Sequence, residues 1–162
     1  MVEPYFGWDY ALGGTKESTP ETSVSYNNWD VGLRLGWVWK TFMFGADGDL
    51  KQMTAKFEQN GASTEPKFNV GNLGLFMGVW LPLKLNFRLG YFIISEWREV
   101  DGDGKYKGDG FNLGAGLRFA FLAINLDFRM NSYNKFENIV DESKLKTYDI
   151  LLSLSLPFNI GG

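Results

Sequence analysis

Charged side chains recur at every second position in several segments of the chain, and this spacing limits the chemistry that they could perform. Asp47 and Asp49 form one such pair of carboxylates, which could in principle serve as a general acid and base. Arginines with the same alternation offer the carboxylates partners, so buried ion pairs explain the charges better than catalysis does. The predicted network contains Arg34, Arg88, Arg118, Arg129, Glu3, Asp9, Asp30, Asp47, Asp49, Asp127 and Asp149.

Histidine and cysteine are both absent from the 162 residues. The chain therefore lacks the usual general base, and it has no imidazole or thiolate to hold zinc, copper or iron. No nucleophile with a partnered base can be named. We accordingly expect no catalytic residues, no metal site and no cofactor.

The segment 101–109, with the sequence DGDGKYKGD, superficially resembles a calcium-binding loop. It lacks the glutamate and the number of ligands of an EF-hand, and Lys105 and Lys107 would oppose a cation. Repeated Asp-Gly pairs more often form tight turns. The segment is therefore predicted to be the tip of a hairpin.

Composition excludes two broad classes of protein. The mean hydropathy is -0.18, and no apolar stretch approaches the roughly 18 residues that a spanning helix requires. The net charge is -3, and lysines and arginines do not cluster, so no nucleic-acid partner is expected. At this length one domain, 1–162, is expected to account for the whole chain.

Apolar and polar residues alternate along the chain with a period of two, which indicates β-strands. Between Trp29 and Trp39, for example, every odd position is a large apolar residue, and the even positions include Asp30, Gly32 and Arg34. The pattern predicts eight strands, at about 2–12, 29–39, 42–51, 72–81, 85–96, 111–121, 124–131 and 147–158.

The connections between these segments alternate in length. The short ones lie at 40–41, 82–84 and 122–123, and the long polar ones lie at 13–26, 52–67, 99–110 and 134–144. Short turns at one end and long loops at the other are typical of an up-and-down antiparallel barrel. The predicted fold is therefore all-β, an eight-stranded barrel with both termini on the short-turn side.

The two faces of the strands indicate which side points inward. A barrel of eight strands has a narrow interior that favours small residues. The polar face carries nine glycines, whereas the apolar face carries Trp, Phe and Leu and no charged residue. An arginine or lysine at the middle of a bilayer would cost roughly 2–4 kcal/mol, so an uncharged outer face is what lipid requires. We therefore predict a transmembrane barrel with a polar lumen.

Aromatic residues lie toward both ends of the predicted strands, as expected for the two membrane interfaces. The belt near the short turns is predicted to contain Trp37, Trp39, Phe42, Phe119, Phe121 and Phe158. The belt near the long loops is predicted to contain Tyr10, Trp29, Tyr91, Trp97, Phe111 and Tyr148.

In strand count, loop lengths and face chemistry the chain resembles the small bacterial outer-membrane barrels typified by the OmpA transmembrane domain, OmpX and OmpW. The resemblance implies a location in the outer membrane of Gram-negative bacteria, after removal of a signal peptide. It implies contacts with lipopolysaccharide and phospholipid, insertion by the barrel assembly machinery, and a monomer that needs detergent when purified. Such barrels commonly end in an aromatic residue that the machinery reads; Phe158 matches, but residues 159–162 follow it.

The resemblance is specific for fold and leaves several functions open. The leading hypothesis is a non-enzymatic barrel with a structural or surface-interaction role, whose lumen is largely filled by ion pairs. The alternative is a narrow channel or conduit for small solutes. Outer-membrane barrels that act as acyl hydrolases or transferases depend, as families, on histidine, which this chain lacks. A soluble ligand-binding barrel is disfavoured because the outward Trp and Phe residues would form one continuous apolar surface.

Overall fold

Alternating residues build the strands of the protein, and among the described residues there are ten, eight of which close into a barrel. The computed structural model describes residues 1–15, 22–136 and 145–158. Its strands are β1 (Val2–Thr15), β2 (Thr22–Trp39), β3 (Phe42–Thr54), β4 (Lys56–Gln59), β5 (Ala62–Thr64), β6 (Lys67–Trp80), β7 (Leu85–Glu99), β8 (Lys105–Phe119), β9 (Leu122–Phe136) and β10 (Leu145–Ser155).

The barrel wall consists of β1, β2, β3, β6, β7, β8, β9 and β10, each paired antiparallel with its neighbours in the chain. The first strand closes the wall, because Trp8 pairs with Trp29 on one side and with Leu152 on the other. Every wall strand thus has two partners and no edge is left unpaired in lipid. The prediction of an all-β, eight-stranded up-and-down barrel is confirmed.

A short hairpin extends the barrel at the long-loop end. Strand β4 continues the pairing of β2 where β3 ends, with Val24 opposite Phe57. Asn60 and Gly61 form its turn, and both have positive φ, as a two-residue hairpin turn requires. This hairpin lies inside the segment 52–67, which was predicted to be a loop.

One predicted turn and several predicted loop boundaries are wrong. The turn after β8 is Ala120-Phe121, not 122–123, because Ala120 adopts a positive φ of 50° and Leu122 already pairs with Phe119. The turns at 40–41 and 82–84 lie where they were predicted. At the opposite end β2 begins at Thr22 and β8 at Lys105, so much of the predicted loop sequence is strand. Most of the predicted loop 134–144 lies outside the described residues.

A band of apolar side chains covers the outside of the barrel. Trp37, Leu75, Met77 and Phe121, for example, are all more than half exposed. No helix within residues 1–15, 22–136 and 145–158 is long and apolar enough to cross a membrane. So large an exposed apolar surface is far more than soluble monomers present, and it is the surface that lipid covers.

A β-bulge in β7 changes which side chains face the lumen. Opposite β6, Phe92 pairs with Gly74 and Ile94 with Leu73, so Ile93 is an extra residue with no partner. Both Ile93 and Ile94 are exposed on the outer surface. Beyond the bulge the alternation is shifted by one residue, and the inward positions become Ser95 and Trp97.

Candidate functional site

Ion pairs fill the membrane-spanning part of the lumen in three tiers. The periplasmic tier, nearest the short turns, contains Glu3, Arg34, Asp47, Arg88 and Asp127. The Arg34 guanidinium lies 2.9 Å from Asp127, 3.2 Å from Glu3 and 3.3 Å from Asp47, and its charge sits 4.2 Å from the centre of the Tyr5 ring. Arg88 reaches the other oxygen of Asp127 at 3.2 Å. One carboxylate thus joins an arginine of β2 to an arginine of β7, two strands that β3 and β6 separate in the wall.

Small residues on the inner face make room for this tier. A Cβ on Gly114 would collide with the Asp127 carboxylate and crowd Arg88, and a Cβ on Gly32 would collide with the Tyr5 ring. The inward glycines therefore leave a narrow barrel enough space for charged side chains, as their place on the polar face predicted.

The middle tier contains Asp30, Asp49 and Arg129. Arg129 Nη1 lies 2.8 Å from Asp30 Oδ2, and its Nη2 lies 3.2 Å from Asp49 Oδ2 and donates to the Tyr5 hydroxyl at 3.3 Å. The Asn72 amide donates to the second oxygen of Asp49 at 2.7 Å. Strands on both sides of the barrel are thereby linked across its axis.

The outer tier contains Asp9, Lys51 and Asp149. The Lys51 ammonium contacts Asp9 directly and lies 3.9 Å from Asp149. Asp149 also accepts hydrogen bonds from the Tyr26 hydroxyl at 2.7 Å and from the Asn131 amide at 3.1 Å. All three charged side chains are buried.

Each tier contains one more carboxylate than cationic side chain, counted over the described residues. The periplasmic tier has three carboxylates and two guanidiniums, and each of the other tiers has two carboxylates and one cation. Removing Arg129 or Lys51 would therefore leave two buried carboxylates with no cation in their tier, and removing Arg34 or Arg88 would leave three carboxylates with a single guanidinium. The lumen is filled by ion pairs, as its alternating charges indicated.

An apolar cluster, which we call the plug, fills the lumen above the outer tier. Trp97 is fully buried and packs against Tyr26, Phe68, Tyr106 and Tyr133, with ring centres 4.8 to 5.8 Å apart. Its indole nitrogen donates to the Tyr133 hydroxyl at 2.6 Å. The plug also contains Ala11, Val24, Met53, Ala55, Val70 and Leu145, with Phe57 packed against it.

Two of the predicted site residues, Trp97 and Arg118, lie elsewhere than predicted. Trp97 belongs to the plug and not to an outer aromatic belt, because the bulge at Ile93 turns it inward. The same shift turns Glu96, whose even-numbered position in the predicted strand 85–96 belongs to the polar face, to the outer surface, where it pairs with Arg98 and Lys105. Arg118 joins no tier, because it lies near the short turns and donates to the carbonyls of Ala120 and Pro157.

The other ten residues of the predicted network lie in the three tiers, and the other belt residues are exposed on the barrel exterior. Sequence reasoning missed Lys51, the only cation of the outer tier among the described residues. Its alternation with Asp47 and Asp49 was the available signal. Tyr5 and Tyr26, which bond to charged groups across the lumen, share the inward alternation of their strands but were not proposed.

Above the apolar band the outer surface becomes polar. Burial alone would raise the pKa of Glu96, but hydrogen bonds and charge from Arg98 and Lys105 outweigh burial and hold that pKa below its usual value. Beside it, within the plug, burial and then the charge of Glu99 raise the pKa of the Tyr106 hydroxyl to about 12. This end of the barrel thus has ionic pairs outside and neutral aromatic groups inside.

Solved structures of outer-membrane barrels share this architecture. Neisserial surface protein A is 12% identical with a TM-score of 0.61, and 97% of each chain is covered. Ail, the attachment invasion locus protein of Yersinia pestis, is 8% identical with a TM-score of 0.55, over 96% of this chain and 97% of Ail. No family model and no curated protein sequence matches the chain. The fold is that of the small outer-membrane barrels, and the lipid-facing band agrees with an outer-membrane location.

An enzyme is also among the structural neighbours. The outer membrane enzyme PagL is 15% identical with a TM-score of 0.51, over 94% of this chain and 99% of PagL. The shared fold therefore does not itself distinguish enzymes from other barrels. In the part of the chain that the structure describes, no group of three or more carboxylates is arranged to hold a metal ion.

Proposed function

We propose that the protein is a non-enzymatic, monomeric outer-membrane barrel that is closed to solutes and acts through its extracellular surface. The observation that carries the proposal is that two successive layers of side chains, the ion-pair tiers and the plug, fill the lumen. Three tiers of ion pairs cross the membrane-spanning part, and the plug fills the end beyond them. A solute would have to separate buried charge pairs and then displace close-packed aromatic rings.

The lumen carboxylates are buried in ion pairs, which argues against a catalytic role for them. Asp47, Asp49 and Asp127 each face a guanidinium at 2.9 to 3.3 Å, and all three are buried. A general acid or base must reach a substrate proton, but these groups are held in the barrel interior by their partners. The chain also lacks the histidine on which the lipid-modifying outer-membrane barrels depend as families.

The extracellular end offers a rigid surface for recognition. The strands continue past the apolar band, and the plug supports them from inside. The β4–β5 hairpin extends the wall beyond the end of β3, and its residues 58–65 are all exposed. Binding residues are often held this way, on an exposed loop supported by a rigid scaffold. Lipopolysaccharide and phospholipid around the band, and the assembly machinery during insertion, are the other partners that we propose.

Planar-bilayer conductance tests the closed lumen. The purified barrel, inserted from detergent, should leave the conductance at the lipid background, and a wide porin inserted in the same way serves as the positive control. A variant in which Trp97→Ala and Phe68→Ala open the plug should still conduct little, because the three tiers remain. Discrete conductance steps from the unmodified protein would instead support the alternative, a narrow conduit for small solutes.

Cell-surface display tests the surface role. The hairpin segment 58–63 can be replaced by a two-residue Asn-Gly turn between the paired residues Phe57 and Thr64, which keeps Phe57 against the plug and should leave the barrel wall and its heat-modifiable gel migration unchanged. Cells that display the unmodified barrel should adhere to immobilised glycosaminoglycan or matrix protein better than cells that display the shortened one. The sulfated sugar is a reasonable probe because Ail has been crystallised with the heparin analogue sucrose octasulfate. Equal adherence of both to every surface would contradict a role for the hairpin.

A further inference from the structure

The periplasmic mouth of the barrel is a basic cavity that the proposed function does not use. The cavity measures about 440 Å³ and is lined by Val38, Lys40, Trp80, Lys84, Arg118 and Ala120. Three of these residues are cationic and none is acidic. We propose that this mouth binds the phosphate of an anionic phospholipid from the periplasmic leaflet.

The two lysines are placed at the mouth by the short turns in which they lie. Lys40 lies in the β2–β3 turn with a φ of 55°, and Lys84 lies in the β6–β7 turn with a φ of 63°. A positive φ is unfavourable for a residue with a side chain, and glycine or asparagine would relieve it. Two of the three short turns nevertheless place a lysine in this conformation beside the same cavity. Ala120 in the third turn also lines the cavity, with a φ of 50°, so this conformation belongs to the tight hairpins themselves, and it fixes the backbones of both lysines at the mouth.

Arg118 is fixed at the mouth by different contacts. Its Nε donates to the Ala120 carbonyl and its Nη2 to the Pro157 carbonyl, both at 3.2 Å. Among the described residues, neither Arg118 nor the two lysines form a salt bridge with a carboxylate. Like charges that converge on one cavity repel one another, and an anion between them would relieve that repulsion.

The position of the cavity indicates which anion it meets. Trp37, Trp39, Phe42 and Phe121 surround this end of the barrel as exposed aromatic residues, which are typical of the membrane interface. The Lys40 ammonium lies 5.3 Å from the centre of the Trp39 ring, so the basic mouth and the belt are adjacent. Phospholipid phosphates lie at this depth, and basic pockets beside membrane-spanning segments bind anionic headgroups. A diacyl phospholipid could place its chains along the belt and its phosphate at the mouth.

Native mass spectrometry with two lipids tests the proposal. The intact protein in detergent is titrated with phosphatidylglycerol, phosphatidylcholine of the same chains, or inorganic phosphate alone. We expect phosphatidylglycerol to bind more tightly than phosphatidylcholine. The triple variant Lys40→Gln, Lys84→Gln and Arg118→Gln should bind it roughly a hundredfold more weakly, given the usual contribution of each basic residue to anionic-lipid binding.

Two further variants keep the result interpretable. The double variant Lys40→Gln and Lys84→Gln leaves the Arg118 hydrogen bonds intact. Its affinity for phosphatidylglycerol should still fall roughly tenfold or more. The control Lys56→Gln, Lys67→Gln and Arg98→Gln removes the same charge at the extracellular end and should bind phosphatidylglycerol like the unmodified protein. The proposal would be overturned if the two phospholipids bound equally well. It would also be overturned if the control lost as much affinity for phosphatidylglycerol as the triple variant of the mouth. Tight binding of inorganic phosphate without phosphatidylglycerol would overturn its assignment to a lipid.

Discussion

The membrane-spanning part and the extracellular extension of the barrel arrange their side chains in opposite ways. In the spanning part Leu75 and Tyr91 face outward while Arg34 and Asp127 are buried inside. In the extension the outer surface carries residues such as Glu96, Arg98 and Lys105, and the interior is the aromatic plug. One closed sheet thus meets lipid along part of its length and water along the rest, and its interior has the opposite polarity in each part.

The comparison shows that the solvent around a sheet dictates the chemistry of both faces. Lipid excludes charge from the outside, so the narrow interior of the spanning part can accommodate polar groups, provided that they are paired. Water outside the extension permits charges there, and burial of apolar side chains inside then provides the stability. The bulge at Ile93 lies near the boundary, where it turns Trp97 into the plug.

Removing a tier cation should have the largest effect in the spanning part. Arg34→Met removes the guanidinium that Glu3 and Asp47 contact and leaves Asp127 paired with Arg88. Loss of one partner from a buried ion pair typically costs about 3–5 kcal/mol, because the other charge stays buried. The measurement is urea unfolding in phospholipid vesicles, followed by tryptophan fluorescence.

The matched control for Arg34→Met is Arg98→Met in the extension. Arg98 also pairs with a carboxylate, at 2.8 Å, but its side chain is 65% exposed. The free energy of unfolding should fall by less than about 1 kcal/mol in this control. Equal losses in the two variants would show that the tiers do not stabilise the barrel through burial of paired charge.

A charge introduced on the outer face should have the second-largest effect, and the effect should differ between the membrane-spanning part and the extension. Leu75→Arg places a cation within the exposed apolar band, where roughly 2–4 kcal/mol of stability should be lost. Asn69→Arg is the same kind of change on the same strand, above the band, and should change stability by less than about 0.5 kcal/mol. Unfolding of both variants in vesicles is compared with unfolding of the unmodified barrel. If Asn69→Arg were the more damaging, the boundary between lipid and water would lie elsewhere.

A conservative change in the plug should have a smaller effect. Trp97→Phe keeps an aromatic ring but removes the donor to the Tyr133 hydroxyl and part of the packing. Because one hydrogen bond is worth about 0.5–1.5 kcal/mol, a total loss of about 1–2 kcal/mol is expected. Near-ultraviolet circular dichroism should show loosened aromatic packing. Trp37→Phe, 69% exposed on the outer face, is the control and should be nearly neutral.

The alternation in the sequence predicted the spanning part well, because lipid imposes a strict rule on every outward position. It predicted the strands, the inward glycines and ten residues of the ion-pair tiers. It failed at Trp97 and Glu96, because one inserted residue, Ile93, shifts the alternation and no local signal marks the insertion. A bulge is identified only through the register with neighbouring strands.

The plug was missed for a related reason. Phe57, Phe68 and Tyr106 lie in segments rich in polar and turn residues, which predict loops when they are read alone. They are held in strands because their side chains meet across the barrel end, and this contact joins residues far apart in the chain. Arg118 was misplaced because its alternation is inward, but it lies at the end of β8, where turn carbonyls are closer than any tier.

The smallest expected effect comes from the Glu96 pairs on the outside of the extension. Arg98 and Lys105 hold the Glu96 pKa below its unfolded value of about 4.3, despite the opposing effect of partial burial. A carboxyl group with a lowered pKa stabilises the fold above its unfolded pKa, and this contribution is lost as the pH falls through the folded value. Glu96→Gln should therefore be less stable than the unmodified barrel at neutral pH, by less than about 1 kcal/mol, and the difference should vanish in acid.

Urea midpoints of the two proteins, measured across the acidic range, check this expectation, because the contributions of all other carboxylates cancel in the difference. A double-mutant cycle with Lys105→Gln isolates the pair, whose atoms lie 3.3 Å apart. A difference that persisted unchanged well below the unfolded pKa would mean that Glu96 acts through packing and not through its charge. Glu96→Gln and Arg34→Met each remove one charge from a network with two or more partners. The difference between their expected losses of stability is therefore due to burial. Only the network inside the barrel is shielded from water.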